Sequence, residues 1–192
     1  MMNTNCLLCG VGGQGTVLAS KLISAAAMKK GLKARSAETI GMAQRGGCVV
    51  SHVRIGDQIY SPLIPKGGAD VIIAFEPAEA VRCLPYLKKN GTVIVNTKPV
   101  IPVTASLGIG NYTGAEMIQY LREHVQNLII VNGDEIAEKL HSAKALNVAL
   151  LGAAAKSGAL GLSIEELEDV ILERIPEKFR ELNLNALHIL SI

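Results

Sequence analysis

Gly10, Gly12 and Gly15 stand in the order G-x-G-x-x-G within CGVGGQGTVLASKL, between an apolar run and a segment with helical spacing. Glycines at such a place permit a tight turn and leave backbone N–H groups aimed at an anion beside a helix N-terminus. With Gly13 and Gln14 they form a candidate cofactor-binding loop. In dinucleotide-binding folds an acid about 20 residues further on takes the ribose hydroxyls, and Glu38, closing the next β-prone run, is the candidate. The same glycines would also let strand and helix pack closely, so the local sequence supports a nucleotide-type ligand and a packing role alike.

A second cluster lies in SAETIGMAQRGGCVVSHVRIG, where Met42, Gln44, Arg45, Gly46 and Gly47 precede a β-prone run. Arg45 offers a forked, always-charged contact to phosphate or carboxylate, and Gly46-Gly47 lets a ligand or a second chain approach the backbone. The plain alternative is a solvated turn with Arg45 paired to Glu38 or Glu76. His52 reads as a satisfied sheet residue, and His124, His141 and His188 as isolated surface residues. Asn147 sits in an otherwise apolar helical run, so burial demands partners, for which the glycine-loop carbonyls are candidates. Ser51, Ser61 and Ser106 lack a nucleophile elbow and a His–Asp partner pattern, which argues against acyl transfer through serine. No residue is assigned a catalytic proton transfer.

Cys6, Cys9, Cys48 and Cys83 are too few and scattered for a secreted disulfide scaffold, so reduced thiols are expected. Cys6 and Cys9 make a C-x-x-C, but its centre is two leucines in an apolar strand and no second pair completes a four-ligand site. The pair is read as core, and no metal is expected.

The elements that would position these residues alternate along the chain. NCLLCGV reads as a buried strand, and GTVLASKLISAAAMKKG as a helix with apolar spacing at Val17, Leu18, Leu22 and Ile23. KARSAE suggests a second strand, and Gly56-Asp57 between β-prone runs suggests a hairpin turn. ADVIIAFE and GTVIVNT are continuous apolar runs of the kind buried in parallel sheets, with a helix opening at Pro77 between them. A helix near 114–124, the strand NLIIVNG, a helix opening at Gly133-Asp134 and the buried helix AKALNVALLGAAAKSG follow. Gly152 in that helix admits another backbone, and Ser163 with Glu166 forms a capping box for the next. The expected fold is a three-layer, Rossmann-like α/β sandwich with a mostly parallel sheet and an inserted antiparallel hairpin.

At 192 residues and 49% hydrophobic side chains, the chain suits a single domain, 1–192, with a helical C-terminal segment over about 163–192. Lys plus Arg number 19 against 17 Asp plus Glu, and two Phe with no Trp offer few platforms for stacking bases. No nucleic-acid partner is expected. The N-terminus lacks a basic signal region, and no run approaches the roughly 18 unbroken apolar residues of a membrane span. A cytoplasmic chain without a membrane partner is expected.

Taken in order, GVGGQGTVLASKLISAAA, SAETIGMAQRGGCVVSHVRIG, SPLIPKGGADVIIAFEPAEAVR and NVALLGAAA resemble the gamma-domain family of 2-oxoacid:ferredoxin oxidoreductases over about residues 5 to 160. The ungapped GMAQRGG, S-H-V-R and PKGGAD are most similar to its indolepyruvate branch. The resemblance implies oxidative decarboxylation of an aryl pyruvate, with CoA as co-substrate and ferredoxin taking the electrons. It also implies a larger alpha subunit carrying thiamine diphosphate and [4Fe-4S] clusters, and no cofactor held tightly by this chain alone. The absence of a C-x-x-C-x-x-C-x-x-x-C series agrees with that division. The loop at Gly10, Gly12, Gly13, Gln14 and Gly15 and the segment Met42 to Gly47 would then face the shared active region or CoA. A free-standing dinucleotide-binding oxidoreductase and a ligand-sensing or assembly module without catalysis are the competing readings.

Overall fold

The computed structural model describes residues 3–38, 47–101 and 112–190. Strand β1 (Asn3–Val11) leads through the glycine turn into helix α1 (Thr16–Lys29), then β2 (Lys33–Glu38), β3 (Cys48–Gly56) and β4 (Ala69–Ala74). Helix α2 (Pro77–Cys83) and a short 3-10 turn precede β5 (Leu87–Asn96), followed by α3 (Ala115–His124) and β6 (Asn127–Val131). Helices α4 (Gly133–Lys139), α5 (Leu146–Lys156), α6 (Ile164–Arg174) and α7 (Glu177–His188) complete the described chain.

The strands form one sheet in the order β2-β3-β1-β4-β5-β6. β1, β4, β5 and β6 pair in parallel, and β3 runs antiparallel to both β1 and β2. Thus β3 alone runs against the rest. β1 and β2 leave a gap that β3 fills, so the antiparallel member of the sheet is β3, paired with both of them. The hairpin turn expected at Gly56-Asp57 is not formed. β3 ends at Gly56, and residues 57–68 return without strand structure because Pro62 and Pro65 deny the ladder its donors. Arg54 holds this return instead, donating from Nη1 to Ser61 O at 3.1 Å, while Ile64 N donates to His52 Nδ1 at 3.1 Å.

Strand alternation divides the core. Cys6, Leu8, Val53, Val71, Ile73 and Ile94 face α1, α5, α6 and α7, whereas Leu7, Cys9, Ile72, Ala74, Val93 and Val95 face α2 and α3. Cys6 and Cys9 therefore lie on opposite faces of the sheet and cannot share a ligand. On α1 the buried stripe is Ala19, Leu22, Ile23 and Ala26, and Val17 and Leu18 of the expected apolar face remain more than a third exposed. Their exposure follows from helix phase, since Val17 and Leu18 share the outward face with Lys21 and Met28 while Thr16, Ala19 and Ser20 of the same turns are buried.

The nearly all-apolar α5 is buried along its length, because α1, α6 and α7 pack around it. The Ser163 capping box of α6 is formed in both directions, with Ser163 Oγ accepting from Glu166 N and Glu166 Oε2 from Ser163 N.

Candidate functional site

The carboxyl ends of β1, β4 and β5 gather the glycine turn, Phe75 and Asn96 at one edge of the sheet, where open α/β folds bind ligands. Gly13 and Gly15 take positive φ of 96° and 84°, conformations that cost a side-chain-bearing residue energy. Gly15 is the N-cap of α1; no side chain caps this end and no acid stands in its first turn. The leading N–H groups of α1 are thus presented with an unopposed helix dipole, which favours an anion.

Gln14 has a different task from the one its position suggested. Its Oε1 accepts from Val11 N at 2.7 Å and its Nε2 donates to Phe75 O at 3.0 Å, so both ends of the amide brace the turn. Gly10 lies inside β1, where a Cβ would come within 2.6 Å of Gln14 Oε1 and 3.0 Å of Phe75 Cβ. Its glycine identity is explained by packing. Gly12 N donates to Gly47 O at 3.0 Å, tying the turn to the start of β3. Met42, Gln44, Arg45 and Gly46 lie outside the described residues.

A crevice of about 430 Å³ opens over the turn, walled by Gly13, Gly15, Lys98, Lys144 and Asn147 above an apolar floor that includes Phe75 and Leu146. Asn147 Nδ2 donates to Gly15 O at 3.3 Å, the glycine-loop partnership its buried position demanded. Asn96 Nδ2 meets Phe75 O at 3.0 Å, while its Oδ1 accepts from Gly133 N and Lys98 N. Lys98 Nζ is held at 2.5 Å from Asp134 Oδ1. Neither lysine was singled out from the sequence. Each stands outside any recognisable motif, and the one available signal, Lys98 directly after the strand GTVIVNT, needs the strand order to acquire meaning.

Glu38 does not join this crevice. It accepts from Ser20 Oγ at 2.5 Å at the end of the edge strand, with β3 lying between it and β1. The dinucleotide pattern is therefore incomplete: the acid is present in sequence but displaced in space by the antiparallel insertion.

The remaining candidates have structural occupations. His52 accepts from Ile64 N and meets Tyr86 edge to face at 5.7 Å, and burial lowers its pKa. His124 stacks on Tyr120 and His188 pairs with Glu168, so these surface histidines are not isolated. All four cysteines are free thiols. Among the described residues, no group of three or more His, Cys, Asp or Glu is arranged to hold a metal ion, and no helix is long and apolar enough to cross a membrane. Ser61 Oγ accepts from Leu63 N, and Ser106 lies outside the described residues.

Fold and site together define an α/β protein with a glycine-turned, lysine-flanked crevice at the carboxyl edge of its sheet. Residues 5–189 match the pyruvate ferredoxin/flavodoxin oxidoreductase family, and the chain belongs to it. It is 47% identical to indolepyruvate oxidoreductase subunit IorB of Archaeoglobus fulgidus, an alignment spanning 97% of this chain and 92% of that one. The protein of the same description from Pyrococcus horikoshii is 38% identical, with 97% and 93% covered. Among solved structures, the gamma subunit of a keto/oxoacid ferredoxin oxidoreductase from Geobacter sulfurreducens superposes with a TM-score of 0.71 at 25% identity, covering 98% of this chain and 94% of that one.

Proposed function

We propose that this chain is the small, beta-type subunit of an indolepyruvate:ferredoxin oxidoreductase working in the cytoplasm. The reading is supported by near full-length similarity to two proteins described as subunits of indolepyruvate oxidoreductase. In this reading the larger alpha subunit carries thiamine diphosphate and the [4Fe-4S] clusters, which supply carbanion and electron-transfer chemistry when bound. Ferredoxin receives the electrons, and CoA the acyl group of the aryl pyruvate.

The chain's own contribution is the crevice, and the observation that carries its role is an uncapped α1 N-terminus flanked by Lys98 and Lys144. Such a site takes an anionic, phosphate-bearing ligand, and CoA is the co-substrate with that chemistry. Gly13 and Gly15 shape the approach, Gly10, Gly12 and Gln14 hold the turn, and Gly47, whose carbonyl accepts from Gly12 N, adjoins it; Met42, Gln44, Arg45 and Gly46 are proposed as ligand contacts on the family resemblance alone. The free-standing dinucleotide enzyme is disfavoured by the position of Glu38 away from the crevice.

Purified alone, the subunit is expected to reduce no viologen with indolepyruvate and CoA, and co-purified with the larger subunit it is expected to turn over. Turnover by the isolated chain overturns the assignment. In the assembled enzyme Lys144→Gln is expected to raise KM for CoA by about tenfold, or about 1.4 kcal/mol, with KM for the oxoacid unchanged. An unchanged CoA KM removes Lys144 from the site.

A further inference from the structure

The back of the crevice is held by a buried amide. Asn96 is 1% exposed, and its Nδ2 donates to Phe75 O at 3.0 Å while its Oδ1 accepts from Gly133 N at 3.1 Å and from Lys98 N at 3.2 Å. One side chain thus joins the exits of β4 and β5 to the start of α4. Residue 133 is a glycine for this reason, since a Cβ there would run into Asn96 Oδ1. Phe75 O also accepts from Gln14 Nε2 at 3.0 Å, and Gln14 Oε1 accepts from Val11 N at 2.7 Å. The two amides meet at a single carbonyl and make one continuous path from the glycine turn to the backbone of Lys98.

A buried amide costs free energy unless its polar atoms are paired, whereas an apolar side chain would fill the same space without that demand. Once paired, it makes its neighbours rigid. What Asn96 makes rigid is the exit of β5. Thr97 N donates to Val131 O at 2.9 Å and Lys98 N to Asn96 itself, so both residues that leave the strand have fixed courses. The same amide holds Gly133, next to Asp134, whose Oδ1 accepts from Lys98 Nζ at 2.5 Å. Lys98 is therefore held at its backbone by Asn96 and at its ammonium through α4, although its side chain is half exposed.

We propose that Asn96 is a positioning residue, which sets Lys98 against the glycine turn so that its ammonium and the α1 N-terminus address one anionic ligand. The inference rests on the reading of the crevice as the CoA site. A lysine already held in place loses less side-chain entropy on meeting a phosphate than one the ligand must order. Asn96, being buried, acts through Lys98 and not on the ligand.

A double-mutant cycle in the assembled enzyme tests this. Lys98→Gln and Asn96→Ala are each expected to raise KM for CoA about tenfold, the loss of one hydrogen bond to a charged group, with KM for the oxoacid unchanged. Combined, they are expected to raise it about tenfold again from wild type, not the roughly hundredfold of independent effects. A rise of about hundredfold in the double variant overturns the proposal. So does a CoA KM unchanged by Asn96→Ala but raised by Lys98→Gln, or an oxoacid KM that rises in parallel. A CoA KM unchanged in both Lys98→Gln and Lys144→Gln instead defeats the crevice reading, and the inference with it.

A second measurement needs no substitution at the buried position. The side-chain amide resonances of ¹⁵N-labelled Asn96 are followed as CoA is added to the isolated subunit. In the wild type they are expected to shift with the same midpoint as the backbone amides of Gly13 and Gly15. In Lys98→Gln they are expected to stay in place while the turn amides still move. An Asn96 shift that persists in Lys98→Gln overturns the proposal, as does a wild-type Asn96 that is silent while the turn responds.

Discussion

Gly13 and Gly15 look interchangeable in the sequence, yet their surroundings differ. Both hold positive φ, but a Cβ at Gly13 meets nothing within 4 Å, while one at Gly15 comes within 2.5 Å of Asn147 Nδ2. Gly13→Ala is expected to cost only backbone strain, about 1–2 kcal/mol. Gly15→Ala adds displacement of Asn147 and loss of its bond to the loop, at least about 1 kcal/mol more. Denaturant midpoints of the two variants check this, and equal costs would show that Asn147 does not brace the turn. His52 sets a pH dependence at the same scale. Burial lowers its folded pKa, so below its usual value of 6.5 the unfolded chain binds the proton more readily and stability falls with pH. Comparing Tm at neutral and mildly acidic pH should show this decline, and His52→Gln should reduce it. An identical decline in the variant places the sensitivity elsewhere.

Helix α5 shows how an element-level contact reverses a local preference. Gly152 is mid-helix, where glycine is less favourable than alanine by about 1 kcal/mol. Propensity alone makes Gly152→Ala stabilising. In the fold, however, a Cβ there runs into the backbone carbonyl of Leu187 on α7, which cannot swing aside as a flexible side chain would. Alanine should therefore destabilise by about 1–3 kcal/mol, the usual cost of overpacking. A rise in Tm would show that α5 and α7 do not approach as closely as the fold requires. The same dependence on neighbours governs β3. Its alternating burial fits a strand in either direction, and its antiparallel place follows from filling the gap that the β1–α1–β2 crossover leaves.

For the whole molecule we propose one cooperative unit with α6 and α7 included. One buried cluster runs from Cys6 in the first strand to Leu187 in the last helix, and α6 contributes Leu167, Val170 and Ile171 to it. Scanning calorimetry of the isolated subunit should give a single transition with equal calorimetric and van't Hoff enthalpies. Two resolved transitions, or an unchanged Tm after removal of residues 163–192, would make the C-terminal helices an appendage.

The sequence by itself determined what depends on neighbours along the chain. Continuous apolar runs specify buried strands, the glycine spacing specifies the turn after β1, and Ser163 with Glu166 specifies a helix start, because each acts within one or two turns of backbone. Family membership was legible in the same way, as ordered motifs. Tertiary structure alone decided which remote residues meet. It placed Lys98 and Lys144 over the glycine turn, kept Glu38 from it and spent both ends of Gln14 internally. Those outcomes depend on sheet order and helix placement, which fix distances between segments far apart in the chain and leave no local pattern in the residues that come together.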